Sequence, residues 1–160
     1  MKNTLLFFII LLLFTRCGGS MSDEQRKQMM EARELQRIQK ISEAEIMDLA
    51  FVKGREVLAD LPPAESAHVD SLGKILEVRI HWLAPGASNA LTIEQQLIEA
   101  YINSVIEGTP LQDNVQKIGT DSLLYTKAVV ITRPDSSVEV KGTWNIWMSK
   151  KQLILGMEKK

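Results

Sequence analysis

Apolar and polar residues alternate in distinct rhythms along this chain. Residues 5–14 form an almost unbroken apolar run. Residues 22–60 are charged and Gln-rich, with apolar positions at Leu35, Ile38 and Ile41, then at Ile46, Leu49, Ala50 and Val57. Steps of three and four predict one long amphipathic helix, or two in tandem. Ser22 ahead of Asp23 and Glu24 suits an N-cap with acids in the first turn. Leu61-Pro62-Pro63 ends the stretch, because a residue before proline is pushed out of the helical region.

A short helix is expected within residues 64–73. The β-branched and aromatic weight of Ile75, Leu76, Val78, Ile80 and Trp82 predicts a strand over 74–83. Pro85, Gly86, Ser88 and Asn89 mark a loop. Thr92 is the expected cap of the next helix, with Glu94 and Gln95 behind it. Its stripe is Leu97, Ile98, Tyr101 and Val105, and Gly108 and Pro110 stop it. Residues 112–121 are polar and read as a surface connection. A strand over 123–132, a turn at 133–137 and a strand from Val138 to Met148 make a closing hairpin. In the last strand Val138, Val140, Trp144, Ile146 and Met148 alternate with polar residues, which places Trp144 inward, Asn145 toward water and Trp147 on the opposite face. Gly142 within it predicts a bulge or a close backbone approach. Ser149 is placed to cap a short final helix. Three strands with intervening helices imply an α+β fold: an antiparallel sheet covered on one face, preceded by the long N-terminal helix.

The N-terminal run changes the picture from fold to location. Lys2 precedes it and Cys17, the one cysteine in the chain, follows it. A membrane span needs about 20 apolar residues, and this run is half that, the length of a signal-peptide core. A charged start, a short apolar stretch and a lone cysteine read as a bacterial lipoprotein signal, with Cys17 carrying the lipid. Phe14 stands where such signals usually have leucine, and Arg16 occupies the junction usually given to a small residue. The expected organisation is a signal peptide at 1–16, a flexible tether at 17–22, a helical segment at 23–60 and an α+β domain at 61–160. The chain would then sit in the cell envelope, lipid-anchored, on the periplasmic or outer-membrane side. The other readings of this region are an uncleaved signal anchor, or a true start at Met21.

Composition mostly excludes. The 19 basic and 20 acidic residues nearly cancel, so nothing favours a nucleic-acid partner. With Cys17 acylated no thiol remains for a disulfide or a zinc site. The two histidines, His68 and His81, are far apart in sequence, and no spacing suggests a metal centre. No phosphate-binding glycine loop or nucleophile elbow is present. The acidic pairs Asp113 with Asp121 and Glu94 with Glu99 have nothing converging on them, so no catalytic carboxylate pair is expected.

Three passages carry a family likeness: Arg79-Ile80-His81-Trp82 through Ser88-Asn89-Ala90, the helix from Glu94 to Tyr101, and the two closing strands at Ser122 to Thr126 and Gly142 to Ile146. Together they resemble the c-type-haem, PAS-like sensor domains of exported proteins and histidine kinases, over roughly residues 43–157. The resemblance implies a PAS-like sheet flanked by helices. It does not carry a cofactor across, because the haem-attaching Cys-x-x-Cys-His motif is missing and only the turn at 133–137 stands in its place. Gly86, Ala87 and Leu91 also depart from the family pattern. Arg79 and Asn89 match it, and with His81 they are the candidate ligand-binding residues. Each has a plain structural role open to it: an ion pair for Arg79, a strand position for His81, an Asx-turn for Asn89. The expectation is a non-enzymatic envelope lipoprotein with a haem-free, PAS-like domain that binds a small ligand or an envelope protein. One alternative is a sensor holding haem without covalent attachment, through His81 or a methionine such as Met148. Another is an interaction lipoprotein acting through its N-terminal helix, which the interrupted heptads favour less than a solvated stalk.

Overall fold

The structure is a computed structural model that describes residues 21–61 and 69–156, those at 37–40 by backbone alone. The signal peptide, Cys17 and His68 lie outside the described residues. Two compact units are distinguished, Met1–Lys40 and Ile41–Lys160.

The first contributes helix α1, Asp23–Lys40. Ser22 caps it reciprocally: the Gln25 backbone N–H donates to Ser22 Oγ, and the Ser22 N–H donates to Gln25 Oε1, both at 3.2 Å. Met29, Met30 and Leu35 are exposed.

The second unit opens with α2, Glu43–Ala59. Of the two expectations, one long helix or two in tandem, the second is met, with the helices separated at Ile41 and Ser42. Ser42 starts the new helix with a capping box, its Oγ accepting from the Glu45 N–H and its own N–H donating to Glu45 Oε2. The break lets α2 turn its stripe of Ile46, Ala50, Gly54 and Val57 into the core. This helix shares its compact unit with the sheet, and that unit begins at Ile41.

After α2 come α3 (Val69–Leu76), β1 (Arg79–Leu83), α4 (Thr92–Ile106), β2 (Asn114–Ile118), β3 (Ser122–Thr132), β4 (Val138–Ser149) and α5 (Lys150–Gly156). Among the described residues the strands form one antiparallel sheet in the order β1-β4-β3-β2. The fold is α+β with an antiparallel sheet flanked by helices. Several expectations need correction. The strand placed at 74–83 is helical to Leu76, and the chain reverses through Glu77 in the left-handed region (φ 56°) before β1 begins. The polar connection at 112–121 contains β2, an edge strand with one buried apolar residue, Val115. The N-cap of α4 is Leu91 rather than Thr92. Leucine has no capping oxygen, so Glu94 supplies the bond by accepting the Leu91 N–H at 2.9 Å.

The largest correction concerns the sheet's faces. Both are covered. Pairing puts Ile80, Tyr125, Ile146 and Val115 in one row across the sheet, and Phe51 of α2 meets Tyr125 edge-on, with ring centroids 6.4 Å apart. The adjacent row, His81, Asn145, Thr126 and Asn114, faces α4, whose Tyr101 hydroxyl donates to the Thr126 carbonyl at 2.9 Å. Asn145 is consequently fully buried, bonded to Thr126 and Thr143, while Trp144 is only half-buried against Trp82. The simple alternation in β4 also fails at a bulge opposite Val129 and Val130. By the pairing register it moves Val138 and Val140 to the face opposite Trp144, Ile146 and Met148. Gly142 sits beside that bulge, and a Cβ there would lie 2.5 Å from the Leu83 carbonyl oxygen and from the Trp82 ring.

Candidate functional site

β1 is an edge strand, so successive residues point to opposite sides while its outer edge stays open. Arg79 and His81 share the α4 side. Across the strand pair stands Trp147, opposite Arg79, and the Arg79 guanidinium lies 5.0 Å above its ring. This stacking uses the planar cation and leaves the donor fork at its rim available.

Glu94 anchors the group. It occupies the third position of α4 and is 1 % exposed. One carboxylate oxygen accepts the Leu91 N–H and the other accepts Trp147 Nε1–H at 2.8 Å. His81 Nδ1 lies 3.7 Å from Glu94 Oε1, an ion pair when the ring is protonated, and the imidazole side chain is 38 % exposed. A helix cap thus fixes Trp147, and Trp147 fixes Arg79. Sequence reading identified Glu94 as a capping acid; its contact with Trp147, 53 residues away, left no local signal. Asn89 does not join this group. It is exposed in a loop built from backbone turns, with the Ala87 N–H donating to Ala84 O and the Ala90 N–H to Ala87 O.

Two hollows adjoin β1. A cleft of about 510 Å³ runs along its outer edge between α3 and α5, lined by residues including Lys74, Arg79 and His81. On the α2 side of the sheet a cavity of about 660 Å³ lies between α2, the end of α3 and α5. Leu49, Val52, Ile75, Leu76, Met148 and Leu153 give it an apolar wall, and Lys53, Glu56, Glu77, Ser149 and Gln152 are its polar residues. Val52 and Ile75 are exposed there. Met148 and His81 belong to opposite faces of the sheet.

A second polar group joins α2 to the sheet. Arg55 forms a two-pronged pair with Asp113, at 2.6 and 2.9 Å, and the Tyr125 hydroxyl donates to Asp113 Oδ2 at 3.0 Å. The Arg55 contact holds the Asp113 carboxyl below its usual range. Asp121 lies elsewhere, bonded by the Thr120 hydroxyl, and Glu99 is exposed. The two tyrosines of the chain are both buried. Burial pushes the Tyr101 phenol up to about 12, and burial with the Asp113 contact raises Tyr125 as well. The unfolded chain, with phenols near 10, gives up these protons first. The associated stability is therefore complete below about pH 10 and falls away as pH rises toward the folded value. An ultraviolet titration of the native protein should show almost no tyrosinate at pH 10.5, and about 1.5 per chain on unfolding at that pH, the share expected of two phenols with pKa near 10. One freely titrating tyrosine in the native state would contradict this burial.

Among the described residues no three His, Cys, Asp or Glu gather as a metal site. No described helix is long and apolar enough to cross a membrane. Comparison with protein-family models, with curated proteins and with solved structures finds no match to this chain.

Proposed function

We propose that this chain is a lipid-anchored envelope protein whose α+β domain, PAS-like in plan, binds a small, mainly apolar molecule and performs no chemistry on it. The observation that carries the reading is the cavity between α2, α3 and α5. Its volume of about 660 Å³ falls within the roughly 300–1,000 Å³ of small-molecule sites, which are mostly apolar with a few polar groups. Support for the PAS-like plan comes from the helix α4 that follows β1 and from the closing strands β3 and β4, the elements on which the family resemblance rests. The lipid anchor rests on Cys17 and the run before it, the non-enzymatic reading on the absence of a catalytic motif in the sequence.

The test is a calorimetric titration with dodecan-1-ol below its solubility limit. The protein would be the chain from residue 17 onward carrying Cys17→Ser, so that no lipid of its own competes. Saturable binding is expected at one site per chain. Leu49→Trp, which fills the cavity from α2, should weaken it at least about tenfold, the effect of losing roughly 1.4 kcal/mol. No saturable binding, or equal binding by a folded Leu49→Trp variant, would remove the cavity as the site. A Soret band in the protein purified from cells would instead favour the non-covalent haem alternative.

A further inference from the structure

The apolar cavity and the polar cleft are neighbours with three lining residues in common. Glu77, Val78 and Gln152 line both. The one space is walled by aliphatic side chains; the other carries Lys74, Arg79 and His81, with Asp70 and Glu77 as its acids. Asp70 and Lys74 stand one turn apart on α3 and offset each other. Arg79 has no carboxylate partner among the described residues, and its guanidinium is held flat on Trp147. The buried Glu94 carboxylate braces both Trp147 and His81 from beneath. A guanidinium already fixed in orientation, with its fork unpaired, suits a carboxylate or phosphate oxygen. The junction is also where Glu77 adopts its left-handed backbone, a conformation that costs energy for a residue with a Cβ and recurs at binding sites.

We propose that cavity and cleft form one site for a single-chain amphiphile with an anionic head. The chain lies in the cavity between α2, α3 and α5, and the head meets Arg79 and His81 at the edge of β1. This rests on the cavity being the binding site and adds the class of ligand. Each methylene buried adds about fourfold in affinity, so the chain supplies most of the binding. The head supplies selection. With two acids in the cleft there is little long-range attraction, and the head is chosen by direct contact with the guanidinium.

The experiment compares dodecanoate with dodecan-1-ol, both below the concentration at which they aggregate, on the same Cys17→Ser chain. Dodecanoate should bind about tenfold more tightly than the alcohol, the gain typical of a charge-assisted contact. Arg79→Gln should weaken dodecanoate about tenfold, bringing it near the alcohol, and should weaken the alcohol far less. Raising the salt concentration should narrow the preference without weakening the alcohol. Leu49→Trp should weaken both ligands alike. Equal affinities in the unsubstituted site, or a preference that survives Arg79→Gln, would overturn the head-group assignment and leave the cavity reading standing. Binding that begins only where the amphiphile aggregates would overturn it too, as adsorption to micelles. Failure of both ligands to bind at all would take down the cavity reading itself.

Discussion

Tyr125→Ala should destabilise the domain by about 3–5 kcal/mol, the usual cost of removing a large buried aromatic. Few domains hold more than roughly 5–15 kcal/mol in total, so this one substitution should bring the protein near the edge of folding. The warrant is the position of the ring. Tyr125 is fully buried in the first half of β3. Gly54 of α2 lies directly against it, and a Cβ at that glycine would collide with the ring. Gly54 has no side chain to collapse into the space that alanine would leave, so much of the cavity should persist. Tyr125→Phe keeps the ring and loses the hydroxyl bond to Asp113, at a cost of about 1–2 kcal/mol. Urea unfolding of the two variants should give well-separated midpoints. Coincident midpoints would mean that the hydroxyl, not the ring against Gly54, is what β3 contributes.

Cys17→Ser should abolish incorporation of labelled palmitate and leave the precursor uncleaved. On the proposed anchor the effect is all-or-none, because the Cys17 sulfur would be the site of acylation and the chain has no other cysteine. Each buried methylene contributes about 0.8 kcal/mol, and stable anchoring needs two acyl chains or a second signal. The chain from residue 17 onward carrying Cys17→Ser, made without the leader, should therefore stay out of the membrane fraction. Normal labelling of the variant, or a native N-terminus at Met21, would contradict the anchor.

Local pattern made some of this molecule legible and left the rest dark. α4 was readable because Leu97, Ile98 and Tyr101 fall on one stripe and Gly108 stops it, with a left-handed φ of 69°. The closing hairpin was readable from its turn and its apolar weight. The faces of that hairpin were not. Alternation assumes one dry side, whereas α4 and α2 cover both, and Asn145 is buried because Thr126 and Thr143 satisfy its amide. β2 escaped because an edge strand with only Val115 buried carries too little apolar signal. The end of α3 escaped because β-branched weight at Ile75 and Val78 favours a strand, and the reversal at Glu77 uses a residue that seldom adopts that backbone. Of the candidate site, Arg79 and His81 were identified from the sequence and do share a face, but Asn89 stands apart from them. Glu94, Lys53 and Gln152 could not be placed there beforehand, since contacts between α2, α3, α4, α5 and the sheet bring them to it.

The most direct measurement is a crystal structure of the Cys17→Ser chain soaked with a terminally brominated dodecanol, with anomalous scattering used to locate the bromine. The account predicts a single strong bromine peak per chain between α2, α3 and α5, within contact of Leu49, Met148 or Leu153. A bromine peak elsewhere on the domain, or no ordered bromine at a saturating concentration, would contradict it.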